Sequence, residues 1–468
     1  MPIDTHHKEY QRMSEAWMLM RDVVAGEDRI HERGEAYLPR LGGQDPDEYG
    51  AYVRRAGFYG ATQRTVDGLS GMVFRRSAIV QMPDAMRAWA EDVTLDGVSL
   101  DSFAESLIEE QLVVSRAGIL VDHPPARQNA TRAQAVQDNQ RPFFTIYQAE
   151  TIIFWRHGQV NNKTQLTHVR LRENVEVPSR EDPFGSDVVQ QYRVLDLVTE
   201  DQDGNPVPAY YRQQVYMHNG SAWVVVDEVV PLMQGAPLDY IPFIFVGPRG
   251  TQWDVSKPIL LDLAHANLSH YRTIADLEHG AHFTALPTPY VFGVPPDEAP
   301  TAIGPTELWS SPSTEVTVGL LEFTGQGLEA LEKRRESKEA HMAALGARML
   351  APEKKQAEAA YTVAMRHSGE ISLLASLANA TSEALTQALM IARDWFNASG
   401  DVRMELNTDF MPMPMDPAML KELMAAWQGG GLAFEDLHRN LQQGEIISED
   451  RTAEDVQADV QDEATAMP

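Results

Sequence analysis

The sequence predicts an α+β chain in which helices flank a central antiparallel β region, and three observations carry that reading. Apolar residues recur at three-four spacing up to Ser115, six β-branched and aromatic runs lie between Phe143 and Val226, and a helical period returns at Ser256.

The elements follow in order. Tyr10, Met13, Trp17, Met20 and Val24 form one stripe of a first helix that ends at Gly26. A second helix is expected from Pro46 to Phe74, with Asp45 as its cap and Pro46 at its first position. Its Tyr49, Tyr52, Val53, Phe58 and Tyr59 read as core rather than a ligand cage. Leu100 to Ser115 is a third helix, capped by Asp101 or Ser102. At Ala117 the period changes, and Gly118 to Asp122 is a short buried strand. From Pro142 the β pattern resumes through Phe143–Tyr147, Thr151–Trp155, Thr167–Leu171, Gln190–Leu195, Ala209–Tyr216 and Ala222–Val226. Asp203-Gly204 and Asn219-Gly220 sit between strands, where positive φ suits a hairpin turn.

Helix then runs from Ser256 to about His282, with Pro258 in its first turn. Pro289–Phe292 and Glu315–Phe323 are β-prone. Leu328 to Met349 is helical and heavily charged until Pro352 breaks it, and a last strong helix spans Ser368 to Asn397. After Gln442 the acidic tail reads as a solvated helix or as disordered. No internal repeat is visible.

The 468 residues carry 68 acidic and 39 basic side chains, a formal charge of −29. This balance opposes tight binding along a phosphate backbone, which needs clustered Lys and Arg. The absence of cysteine excludes disulfides, thiol nucleophiles and cysteine-ligated metal, and suggests an intracellular origin. No apolar signal core and no run of about 18 apolar residues is seen, so neither secretion by that route nor membrane spanning is expected.

Candidate chemistry is sparse. His265, His270, His279 and His282 lie on one predicted helix, and the i, i+3 pair His279/His282 could hold zinc with Asp276 nearby, yet no third ligand stands at a recognisable spacing. Asp201-Gln-Asp-Gly-Asn opens like a calcium loop but puts Arg212 where a bidentate acid belongs, so a turn is expected. Gly247-Pro-Arg-Gly250 lacks the following Lys-Ser of a phosphate loop, and Gly68-Leu-Ser-Gly71 sits inside a predicted helix rather than at a nucleophile elbow. Lys333-Arg-Arg335 is surrounded by Glu329, Glu332, Glu336 and Glu339 at pairing distance, a solvated face. Two lysines after a helix-breaking proline, in Arg348-Met-Leu-Ala-Pro-Glu-Lys-Lys355, form a better candidate for touching nucleic acid. No catalytic constellation emerges, so the chain is read as a non-enzyme without cofactor or metal.

The order of segments is more specific than any one of them. Tyr37-Leu-Pro-Arg40, Tyr52 through Arg75, Gly118-Ile-Leu-Val-Asp122, Tyr147 through Trp155, Leu263 through Phe283, Leu321 through Leu328 and Ala344 through Leu350 resemble, in that order, a subgroup of tailed-bacteriophage portal proteins. The resemblance runs from about Tyr37 to Glu445. It implies a homo-oligomeric ring of about twelve subunits, the head-tail connector at the capsid vertex, through which genomic double-stranded DNA is packaged and ejected. Implied partners are the terminase large subunit, a head-tail adaptor and the major capsid protein, in the virion and in the host cytoplasm during assembly.

Mapped on this chain, the portal fold gives a helical wing at 1–116, wing β at 117–160, a clip region at 161–241, a stem helix at 242–283 and further wing β at 284–324. A tunnel helix and loop follow at 325–367, a wing helix at 368–400, and a small C-terminal crown with the acidic tail at 401–468. Within the tunnel loop, Arg348, Lys354 and Lys355 would touch the DNA backbone transiently, while an acidic wall keeps the duplex hydrated and mobile. The alternatives are another structural virion component, such as a head-tail adaptor or scaffold, and a metal-dependent hydrolase built on the histidine-rich helix.

Overall fold

The computed structural model describes residues 2–124, 138–179, 182, 184–201, 203–285, 288–295, 315–321, 326–347, 360–410, 417–444, 446–447 and 451–466. It is α+β, with helices packed around a three-stranded sheet from which a five-stranded meander continues.

Helix α1 (Lys8–Ala25) buries the expected stripe of Tyr10, Met13, Trp17 and Met20, and Gly26 stops it at φ 93°. After α2 (Glu27–Arg33), the predicted long second helix is two helices, α3 (Pro46–Arg55) and α4 (Ala61–Val73). Asp45 caps α3 as expected, accepting from the Glu48 N–H at 2.9 Å. The break between them follows from Gly57 and Gly60 and is fixed by tertiary bonds, the Phe58 N–H donating to Glu27 and the Ala56 carbonyl accepting from His31 Nε2. Strand β1 (Ile79–Gln81), the short α5 (Asp84–Arg87) and α6 (Leu100–Val114) complete the N-terminal helical layer. The cap of α6 is Ser99 rather than Asp101 or Ser102, because the buried Leu100 already belongs to its first turn.

Strand β2 (Ala117–Asp122) is the centre of the three-stranded sheet, between β3 (Phe143–Gln148) and β11 (Phe243–Val246), all antiparallel. Its Gly118 lets the Phe243 ring lie directly on the backbone, where any Cβ would clash. The meander is β4 (Ile152–Val160), β5 (Lys163–Pro178), β6 (Ser186–Glu200), β7 (Pro206–His218) and β8 (Trp223–Val229) in that spatial order. Strands β4 and β5 run farther than predicted because Asn161 and Asn162, at φ 51° and 61°, make the two-residue turn between them. Gly204 and Gly220 take positive φ at the two expected turns. One end of the meander is core, with Ile152, Trp155, Val169, Leu171, Leu195 and Tyr211 buried; the other end carries the exposed Val175 and Val188. The small ribbon of β9 (Leu232–Met233) and β10 (Ala236–Pro237) leads back to β11.

A buried cation ties this sheet to the chain that follows. Arg116 lies between the rings of Trp155 and Phe245, at 4.2 and 4.4 Å, and donates to the carbonyls of Trp253 and Asp254. Burial outweighs the opposing pull of the Asp254 carboxylate and pushes its pKa down to about 9. The loop it holds leads into α7 (Leu261–Ala285), which starts at Leu261 because Pro258–Leu260 form the preceding turn. Beyond it come the antiparallel pair β12 (Thr288–Phe292) and β13 (Thr317–Leu321), α8 (Gln326–Met342) and the long α9 (Ala360–Trp395). Strand β14 (Arg403–Glu405) pairs with β1, joining the two ends of the chain's body, and α10 (Pro417–Gln428), α11 (Phe434–Gln443) and α12 (Ala453–Ala466) follow. The acidic tail is thus helical over Ala453–Ala466.

Candidate nucleic-acid interface

The candidate site is the charged helix α8 and the turn beyond it, so the first question is what holds that helix. Over Gln326–Met342 it has almost no apolar face, and such a helix needs a partner or its own ion pairs. It has both. Lys338 Nζ donates to the Ser269 carbonyl at 2.7 Å and to Thr273 Oγ1 at 2.6 Å, His270 Nε2 stands 3.2 Å from Glu339 Oε1, and Leu328 lies against Gly280. These contacts run in opposite sequence directions, so α7 and α8 form an antiparallel arm. Burial, then the neighbouring Arg334 and Arg272, lowers the Lys338 pKa, and burial likewise lowers that of His270.

The outer face of α8 is solvated. Lys333 pairs with Glu329 at 2.7 Å and Arg335 with Glu339 at 3.6 Å, as the sequence spacing predicts. At the far end of the arm, β12 and β13 pair with each other and leave Phe292 and Val318 exposed.

The base of the arm is a polar seam that joins the segments whose order carries the family resemblance. Asn267, fully buried, accepts from the Thr62 N–H and hydroxyl at 3.1 and 3.0 Å and donates to the Tyr59 carbonyl at 2.8 Å. Tyr52 donates to Asp276 at 2.7 Å, Arg272 donates to the Tyr37 carbonyl at 2.7 Å, and Arg55 approaches His279. Burial and then the Asp276 carboxylate raise the Tyr52 pKa, so its phenol stays protonated as the donor. Residues 37–40, 52–75 and 263–283 are therefore one packed unit. Sequence reasoning missed Asn267 as a hub of this unit, and named Asp276 only as a neighbour of a possible zinc pair; an Asn inside an otherwise apolar helical stripe is the signal that could have found the first.

The turn Ala343–Ala347 after α8 is wide, and Gly346 takes φ 127° beside Thr65 and Leu260. That conformation favours glycine, and it brings the chain back to the body where α4 and α7 meet. Arg348, Lys354 and Lys355 follow directly and lie outside the described residues.

The histidines on α7 are spread out. His270 is buried under α8, His265 and His282 are exposed, and His279 packs edge-on to Tyr52 beside the Arg55 guanidinium. Burial and then Arg55 lower the His279 pKa, and the same positive charge would repel a metal ion. No group of three potential metal ligands occurs among the described residues. At Asp201, the carboxylate accepts from the N–H groups of Asp203 and Asn205, as a turn rather than a cation loop requires. No helix among the described residues is long and apolar enough to cross a membrane.

A family model described as a domain of unknown function (DUF4055) matches residues 259–396, which span the arm, its turn and α9. No curated protein matches the chain. Among solved structures, the chain is similar to one from the neck of an empty gene transfer agent (GTA) particle computed with C6 symmetry, at 12% identity and TM-score 0.41, covering 86% of this chain and 95% of that one. A chain of the virion of the native GTA particle gives 12% and 0.40 over 89% and 98%, and one from the native neck computed with C12 symmetry gives 12% and 0.38 over 88% and 98%. Similarities this low do not carry function from one chain to another.

Proposed function

We propose that this chain is a portal-type subunit: identical copies close into a ring that conducts DNA, and the chain catalyses no reaction. The observation that carries the reading is α8. It is a helix whose outward face is charged along its length and in which Lys333 and Arg335 are each paired with a carboxylate one turn away. A wall of that kind stays hydrated and offers little to displace counterions from a duplex, so DNA slides past it. The overall charge of −29 works in the same direction. The ordered segment resemblance supports the same reading, and the polar seam gives those segments a shared structural reason.

On this reading Arg348, Lys354 and Lys355, which follow the Gly346 turn, are the transient backbone contacts. The resemblance by itself puts motor and adaptor docking at 161–241. The exposed Phe292 and Val318 at the end of the α7/α8 arm make the β12/β13 ribbon a better docking end, since a two-stranded ribbon is marginal alone and gains from a partner.

Negative-stain microscopy of the purified chain, or of capsid lysates, is expected to show rings with an open axial hole; a chain that stays monomeric at high concentration and in lysates rejects the proposal, and a ring without an axial hole favours a scaffold. Charge reversal at Lys354 and Lys355 is expected to leave ring assembly intact while lowering the DNA packaged per capsid. Normal packaging by that variant would remove the assignment of these two residues.

A further inference from the structure

Ahead of α1, residues Pro2–His7 form a strap over β4 and β5, and two imidazoles hold it by accepting hydrogen bonds. His7 is the cap of α1: its Nδ1 accepts from the Glu9 N–H at 3.2 Å, while its own N–H donates to the Ile153 carbonyl of β4 at 2.8 Å. Its ring stacks on Trp155 at 4.0 Å, and the same indole carries the buried Arg116 guanidinium at 4.2 Å. His168 on β5 donates from Nδ1 to Asp196 at 2.6 Å, which leaves its Nε2 to accept from the Arg170 Nε–H at 2.8 Å. Arg170 in turn donates from Nη1 to the carbonyls of Pro2 and Ile3, both at 3.2 Å. A guanidinium and a backbone N–H can only donate, so both imidazoles are neutral in this arrangement.

A proton undoes each contact. On His7 Nδ1 it removes the cap and sets a cation at the positive end of the α1 dipole, facing Lys8, Arg116 and His157 with Glu9 alone opposing. On His168 Nε2 it points one N–H at another and displaces Arg170; Arg156 stands across on β4, and Asp196, which stays on Nδ1, is already shared with Arg212 at 3.7 Å. His6, stacked on Tyr10 at 4.4 Å, faces Arg172 and Asp4. We infer that Pro2–His7 is a proton-released latch: neutral His7 and His168 hold it on the sheet, and their protonation frees it, baring the Ile153 edge of β4 and the Trp155 ring while the body of α1 stays in place. The body stays because Tyr10, Met13 and Trp17 are buried in the core and touch neither switch. Burial lowers the pKa of His7 and of His6, with Arg116 and Arg172 adding to it. The latch is therefore fully closed above the unfolded histidine value of about 6.5 and opens as pH falls through the lower folded value. The inference does not depend on the ring reading and applies to a single copy or to an assembly.

The chain has no cysteine, so Pro2→Cys carries a nitroxide at one site only and keeps the carbonyl that Arg170 holds. In the full chain the label is expected to be immobilised at about pH 7.5 and to become mobile in acid with a midpoint below about 6.5, while circular dichroism stays unchanged. Deuterium exchange at the imidazole C2 position, read by mass spectrometry, should show His7 titrating at that same midpoint. His7→Asn, which keeps a side-chain acceptor at the cap but cannot titrate, should hold the label immobile to lower pH than the parent. A label that stays immobile down to about pH 5, release while His7 is still neutral, or release only together with loss of helix each overturns the latch. Should His7→Asn already be mobile at about pH 7.5, the match between His7 titration and release in the parent chain decides: coincidence supports the latch, and a mismatch overturns it.

Discussion

Replacing Glu173 by Ala is expected to lower stability by about 3 kcal/mol at neutral pH, the cost of stranding a half-buried guanidinium. Glu173 accepts from Tyr147 at 2.5 Å, from Gln191 at 2.7 Å and from Arg193 at 2.7 Å, and Arg193 in turn donates to Gln213, which donates to Asp122. The chain of bonds links β2 and β3 of the three-stranded sheet to β5, β6 and β7 of the meander. Burial pushes the Glu173 carboxyl up, but Arg193 and the hydrogen bonds outweigh it and hold its pKa below the usual range. The sign follows: this contribution is fully present above the unfolded glutamate pKa of about 4.3 and is lost as pH falls through the lower folded value. Asp22, bound by Arg33, Tyr37 and Arg29, is lowered in the same way and adds to the loss in acid. Asp122 acts in the opposite sense, since burial raises its pKa and its protonation favours the fold at low pH. Denaturant titration at about pH 7 and at about pH 3 should show the Glu173→Ala deficit narrowing with acid. A deficit that stays constant across this range would mean that the carboxylate charge is not what Arg193 requires.

Trp17→Ala is expected to cost about 4 kcal/mol, through lost burial and the cavity left under α1. Trp17 is fully buried and meets Tyr10 edge-on at 5.5 Å. Its indole N–H finds no partner among the described residues, so the ring contributes by packing. Trp17→Phe should therefore recover more than half of the loss, because it forfeits volume and no hydrogen bond. If the Phe variant were as unstable as the Ala variant in the same titration, the indole would have to be making a polar contact that the packing does not account for.

Much of this architecture was legible as periodicity. The stripe of α1, the Asp45 cap, the buried β2, the meander strands with their glycine turns, and the self-paired cluster Lys333–Arg335 were all readable, because each depends on residues within a few positions of one another. The long second helix failed as a prediction because its break at Ala56–Gly60 is held by Glu27, His31 and Asn267, groups far away in the chain. Arg116 shows the same limit from the other side: nothing beside it in sequence marks a buried cation stacked on Trp155 and Phe245.

The sequence alone determined the α+β order, the excess of acid, the absence of thiol chemistry and the local capping and turn chemistry, since these depend on composition and short-range spacing. Only the tertiary structure decided that three separated segments form one polar seam under the arm and that α8 is held by Lys338 and His270. Those features are set by which surfaces meet, and chain separation hides such meetings from any local pattern.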